Sequence, residues 1–259
     1  MEALFSLKGE TALVTGGTRG IGRSVAIALA EAGADILLVQ RTPTSTETRA
    51  AIEALGRRVQ IYTADLSSPS DVASLLPRVL ADGHAVRILV NCAGIQIRHA
   101  SEDFPDADFG AVLQVNLHAV FALCRDAGRH MLSLPVSPVT GRRGSVVNFA
   151  SLLTFQGGLN VPAYAASKGA VGQLTKALAN GWADKGVTVN AIAPGYVETD
   201  MNTALLNDPE RLASISARIP AGRWGTPDDF KGSVVYLASR ASAYVSGHTL
   251  VVDGGWMGR

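Results

Sequence analysis

The sequence predicts an α/β fold of one domain: a doubly wound parallel sheet with helices on both faces. Three observations carry this. Short apolar β-rich runs alternate along the whole chain with stretches of helical patterning. A glycine-rich turn joins the first run to the first helical stretch. The 259 residues, 47% hydrophobic and 17% charged, can bury one substantial core, and no repeat, linker or low-complexity tract divides them.

The first strand is expected at Thr11–Thr15, followed by the turn and an apolar-periodic helix from Ile21 to Ala32. Further strands are expected at Ile36–Val39, Val59–Tyr62, Ile88–Asn91, Ser145–Phe149, Thr188–Ile192 and Thr249–Val252. The stretches between them are long enough for crossover helices, and right-handed crossovers give a doubly wound sheet with ligands gathered at the strand C-termini. The Pro/Gly-rich segment Leu134–Gly144 reads as an exposed loop with Arg142 and Arg143 as a solvated pair.

A formal net charge of +1 offers no nucleic-acid or membrane footprint, and no uninterrupted apolar run reaches the length of a membrane span. The N-terminal residues lack the pattern of a secretory signal, and Cys92 and Cys124 read as reduced thiols, so a cytoplasmic protein is expected. No His/Cys/Asp/Glu cluster has zinc-ligand spacing, so metal-independent chemistry is expected.

Candidate chemistry centres on Ser151, Tyr164 and Lys168. Tyr164 and Lys168 are four residues apart and share a helical face, which brings an ammonium beside a phenol. A nearby positive charge lowers a phenol's pKa, so Tyr164 is expected to act as proton donor and acceptor near neutral pH. Ser151, on a loop after a strand, can hydrogen-bond the substrate oxygen as charge develops on it. At the N-terminus, the turn TALVTGGTRGIG (Thr11–Gly22) lets backbone N–H groups approach a pyrophosphate at a helix N-terminus.

Together with Asn91-Cys92-Ala93-Gly94, Asn116 and Pro194-Gly195, these residues resemble the short-chain dehydrogenase/reductase family over nearly the whole chain. The resemblance implies a Rossmann-type NAD(P)-dependent oxidoreductase acting on a secondary alcohol or ketone, with Asn116, Ser151, Tyr164 and Lys168 as the catalytic group. It implies that Gly16, Thr18, Arg19, Gly20, Ile21 and Gly22 cradle the dinucleotide, with Asn91, Ala93 and Gly94 beside them. Asp65, with Leu66, matches the family position that holds the adenine amino group; an acid at a helix start is the other reading. Tyr164 and Lys168 also contact the nicotinamide ribose, and Asn116 anchors a water in a proton relay. Pro194, Gly195, Val197 and Thr199 resemble the nicotinamide clamp, although Thr199 can equally cap a following helix. The family's usual second asparagine is Cys92 here.

At the end of the second strand, Gln40 and Arg41 stand where an acid would bind a ribose 2′-hydroxyl, and Asp35 lies at the wrong end of that strand. Arg41 and Arg19 favour NADP, with NAD possible. The segments Ser151–Gly158, Arg218–Gly225 and Val252–Arg259 resemble the sugar-acid branch of the family, which acts on gluconate and its deoxy and dehydro derivatives. For such a small-molecule substrate, Gln96, Arg98, His99, Gln156 and Tyr196 are the residues expected near the cleft, with Tyr164 rather than His99 as the base. A general ketone reductase, a 3-oxoacyl-carrier-protein reductase and a dinucleotide-sensing binding protein are the alternatives. The apolar C-terminal stretch Tyr244–Trp256 and the family resemblance imply a homotetramer, with a dimer as the alternative.

Overall fold

The computed structural model describes residues 2–259. After a short α1 (Glu2–Phe5), the chain alternates strand and helix. The strands are β1 (Thr11–Thr15), β2 (Asp35–Gln40), β3 (Val59–Thr63), β4 (Val86–Asn91), β5 (Gly144–Phe149), β6 (Val187–Pro194) and β7 (Thr249–Val252). They form one parallel sheet in the order β3-β2-β1-β4-β5-β6-β7. Every predicted strand is present, each extended by at most a few residues, and the doubly wound class is the one found.

Side chains alternate across a strand, and in β1 Leu13 points to one face while Ala12 and Val14 point to the other, all fully buried. The Leu13 face packs against α4 (Pro69–Ala81), α6 (Ala119–Ser133) and α7 (Pro162–Trp182) through residues such as Leu75, Leu123 and Val171. The opposite face packs against α2 (Gly20–Glu31), α3 (Glu47–Ala54) and α10 (Lys231–Ala238) through Leu29, Ile52 and Leu237. Burying each such side chain is worth about 1.5–3 kcal/mol, so both layers are needed to hold a sheet whose two faces are apolar.

The helix preceding β5 is continuous from α5 (Asp106–Leu113) through a π turn (Gln114–His118) into α6. By length and composition Asp106–Ser133 is apolar enough to cross a membrane. Its inner face, Val120, Leu123, Cys124, Ala127 and Met131, is instead buried against the sheet, which is the packing of a layer helix.

Arg142 departs from expectation. It is buried, and its guanidinium donates to the carbonyls of Leu237, Ser239 and Ser242 and to Thr188 Oγ1. The loop Leu134–Gly144 folds over the N-terminal rim of the sheet, where the end of α10 presents carbonyls with no helical partner. Arg143 donates to the carbonyls of Leu132 and Leu134 in the same loop. Neither is a solvated surface cation.

Beyond β6 the chain forms α8 (Thr203–Leu206) and α9 (Pro209–Arg218), held by a separate small core of Leu152, Leu205, Ile215, Ile219, Trp224 and Trp256. This segment caps the C-terminal rim of the sheet beside Ser151 and Tyr196.

Candidate active site

The strand order reverses between β1 and β4, and the crevice over their C-terminal ends opens into a cavity of about 750 Å³. At its β1 end lies the glycine turn. Gly16 has φ +71, and a Cβ there would sit 2.8 Å from Ala93 Cα. A Cβ on Gly22 would sit 2.0 Å from Gly16 O, so the turn closes only because both residues lack side chains. Thr18, Arg19, Gly20 and Ile21 complete this wall, with the N-terminus of α2 behind it. The opposite side of the turn is fixed by Thr15 Oγ1, which accepts from the backbone N–H groups of Cys92 and Ala93, each at 3.2 Å.

The floor and far wall carry the expected residues Arg41, Asp65, Leu66, Ala93, Gly94, Pro194, Gly195, Val197 and Thr199. Asp35 is paired with Arg58 at 2.6 Å, away from the cleft. Asp65 accepts from the backbone and side chain of Ser67, which, with a smaller pull from Arg41, holds its carboxyl below the usual range. Ser68, not Asp65, caps α4. The clamp segment is tied down by Gly225 N donating to Tyr196 O and Glu198 N donating to Gly225 O, both at 2.9 Å. Thr199 makes no capping bond, so its side chain is left to the cavity. A dinucleotide fits this cleft: side-chain-free backbone at the pyrophosphate end, a cation beyond β2, and a clamp facing the catalytic group.

Two expected contacts are corrected. Asn91 lies beneath the floor, where its Nδ2 donates to Asn148 Oδ1 at 2.9 Å and to Cys124 Sγ at 3.3 Å; its position inside the sheet removes its side chain from the cleft. His99 pairs with Asp108 at 2.7 Å and stacks edge-on against Phe104, which turns it away from the cavity lining. Arg19 is held by Asp200 at 2.9 Å, a bridge from the glycine turn to the segment after β6.

Ser151, Tyr164 and Lys168 meet at the cavity's β5 end. Ser151 opens a short turn closed by Thr154, whose Oγ1 accepts from Ser151 N and donates to Lys168 O at 2.9 Å. Pro162 starts α7, fixing the register that puts Tyr164 and Lys168 one turn apart. Lys168 Nζ donates to Phe149 O at 2.6 Å and stands 5.5 Å from the centre of the Tyr164 ring. Asn116 is fully buried in the π turn: its Oδ1 accepts from Ile95 N and its Nδ2 donates to Ile95 O, both at 2.9 Å, and to Ser167 Oγ at 3.2 Å. It thereby ties the β4 exit to α7, and π turns recur at such functional positions.

The expected lowering of the Tyr164 pKa is not found. Burial pushes the phenol up to about 12, with the hydrogen bond to Ser151 opposing it. Burial also presses Lys168 down to about 8, and the same cause pushes the Cys92 thiol up to about 12, so Cys92 is not a ready thiolate. The favourable Tyr–Lys contact depends on a charged lysine, which burial disfavours in the free protein.

Gln96, Arg98, Gln156 and Tyr196 all line the substrate end. Tyr196 is wedged between Trp224 and Trp256 at ring-centre distances of 5.3 and 4.7 Å, and Gln156 Oε1 accepts from Trp256 Nε1 at 3.4 Å. Cap residues absent from the sequence reading, Met201, Asn202, Leu205 and Arg211, complete the wall. Among the described residues no group of three or more His, Cys, Asp or Glu side chains could hold a metal ion.

A family model described as enoyl-(acyl carrier protein) reductase matches residues 16–257. The chain is 50% identical over 257 residues to a 2-dehydro-3-deoxy-D-gluconate 5-dehydrogenase of Pseudoalteromonas atlantica, covering 98% of each protein. It is 50% identical over 255 residues to the Bacillus subtilis protein of the same name, covering 98% of this chain and 97% of that one. Among solved structures, a gluconate 5-dehydrogenase from Burkholderia cenocepacia in complex with NADP and tartrate aligns with a TM-score of 0.92 at 36% identity, covering 100% of this chain and 99% of the other. With the glycine turn, the Ser151–Tyr164–Lys168 group and this likeness along almost its full length, the chain belongs to the short-chain dehydrogenase/reductase family of oxidoreductases.

Proposed function

We propose that the protein is an NADP-dependent oxidoreductase interconverting a secondary alcohol and a ketone on a sugar acid of the 2-dehydro-3-deoxy-D-gluconate or gluconate type. The observation that carries this is one continuous cleft, with a dinucleotide cradle at one end, the Ser151–Tyr164–Lys168 group between, and Arg98 at the other. The names of the relatives at 50% identity supply the substrate class. Arg41 beyond β2, with no acid facing a ribose 2′-hydroxyl, supports NADP over NAD.

When bound, the cofactor would supply a hydride as NADPH in reduction or accept one as NADP+ in oxidation. The chain supplies everything else. Ser151 and Tyr164 hold the substrate oxygen, and Tyr164 gives or takes its proton. Lys168, fixed by Phe149 O, places a positive charge near the phenol and stabilises the phenolate whenever it carries that charge. Asn116 keeps the β4 exit and α7 in register around this group.

Turnover of 2-dehydro-3-deoxy-D-gluconate and D-gluconate, compared with simple secondary alcohols and with NADP and NAD in parallel, tests the reading. Preferential turnover of a sugar acid with NADP supports it; activity confined to apolar alcohols overturns it. The same reading takes the working enzyme to be a cytoplasmic homotetramer. It is supported by two unpaired cysteines and by the outer face of α6, where Phe121 is exposed; light scattering of the purified protein would return a smaller mass if it is wrong.

A further inference from the structure

We propose that Arg211 selects acidic substrates: from the cap helix α9 it joins Arg98 across the cleft mouth, and the two guanidiniums receive one substrate carboxylate. The inference rests on the sugar-acid reading and deepens it.

The distribution of charge around the cavity is the starting point. At the dinucleotide end, Arg19 is paired with Asp200, and Asp65 lies within the field of Arg41. The substrate end has no such balance. Arg98 Nη2 donates only to the neutral Gln96 Oε1, at 3.2 Å, and among the described residues neither Arg98 nor Arg211 forms an ion pair. Both line the same cavity, and the charge of Arg211 is felt at Arg98, whose pKa is lowered first by burial and then by this neighbour. Two like charges on facing walls repel until an anion enters between them, and a carboxylate matches the planar donor fork of each guanidinium.

Arg211 is delivered to this position by a held element. Asp208 caps α9 by accepting from Arg211 N at 3.1 Å, Pro209 sets the first helical residue, and Ile215 and Ile219 anchor the helix in the small core with Trp224 and Trp256. The side chain itself is exposed to the cleft, so its long stem can follow an entering ligand. A neutral polyol of the same shape would leave the two cations unneutralised, which makes the pair a filter against uncharged sugars.

The test compares D-gluconate with its neutral amide, D-gluconamide, in the presence of NADP, using wild type, Arg211→Met and Arg211→Lys. A charge-assisted contact of this kind predicts that Arg211→Met raises the KM for gluconate about 10- to 100-fold, with kcat nearly unchanged and the amide unaffected. Arg211→Lys should recover part of the loss, and unchanged melting temperatures should show the cap intact. Equal effects on acid and amide, or none on either, would overturn the proposal and leave the sugar-acid reading standing. Should wild type turn over neither compound, calorimetry of gluconate binding to the NADP-loaded protein separates the two ideas. Binding lost in Arg211→Met supports the carboxylate site and sinks the activity, whereas no binding by wild type sinks both.

Discussion

Burial opposes the useful charge state of both reactive groups in the free protein, raising the Tyr164 phenol to about 12 and lowering the Lys168 ammonium to about 8. Tyr164→Phe should lower kcat by about 10²- to 10⁴-fold, the usual worth of a positioned proton donor, while a fluorescence titration still detects dinucleotide binding. Lys168 gives a stability prediction with a definite sign. Between pH 8 and 10.5 the unfolded chain holds the lysine proton and the folded chain has released it, so this group's contribution to stability improves as pH rises through that window. The melting temperature of wild type relative to Lys168→Met should therefore move in favour of wild type between pH 7 and pH 10; a constant difference would mean that the ammonium is not held back by burial. The identities and spacing of Ser151, Tyr164 and Lys168 were legible in the sequence, because four residues on a helix fix a shared face. The pKa directions were not, since desolvation depends on what α7, the β5 exit and the cap jointly exclude.

Elements carry function here through their ends. The glycine turn is an element whose closure is steric, and Gly22→Ala should both lower the melting temperature and weaken NADP binding at least about tenfold, because the added Cβ meets Gly16 O at 2.0 Å. Retained affinity, measured by calorimetry, would show that the turn can relax. At the other rim, Arg142 bridges carbonyls at the end of α10, and replacing it with Leu should cost about 1.5–3 kcal/mol in denaturant unfolding by removing this charge-assisted donor from them. The central strands could be placed from apolar runs because a parallel sheet buried on both faces makes each run nearly continuous, whereas the edge strand β3, with Gln60 and Thr63 exposed, is marked by its β-branched and aromatic residues. Arg142 was misread for a complementary reason: Pro and Gly mark a loop, but only the crossover of α10 shows that this loop is covered. Asn91 was misplaced similarly, since a strand's last residue can point into the cleft or beneath it, and register decides.

Across the whole molecule, ligand binding and stability are linked. Saturating NADP at about 100 times its Kd should add about 2.7 kcal/mol to unfolding free energy, visible as a rise in melting temperature. Arg41→Ala should shrink that rise for NADP and leave the rise with NAD unchanged; equal losses would assign Arg41 to the general cradle rather than to the 2′-phosphate. The cap around α8 and α9 was the part of the molecule least legible in advance, because it packs not only on nearby Trp224 but on Trp256 from much later in the chain, and its own periodicity is short. Arg211 was missed with it. A parallel sheet also gives the molecule two unlike poles. One rim carries Tyr164, Lys168 and the cleft, while Glu10, Arg87, Ser137 and Arg142 form a polar knot at the other, with Ser137 Oγ donating to Glu10 Oε1 and Arg87 lying 3.6 Å from Glu10 Oε2. A protein engineer therefore has a workbench remote from the chemistry: substitutions that tighten this knot can raise heat tolerance, and their gains should add to, rather than trade against, changes that retune the substrate.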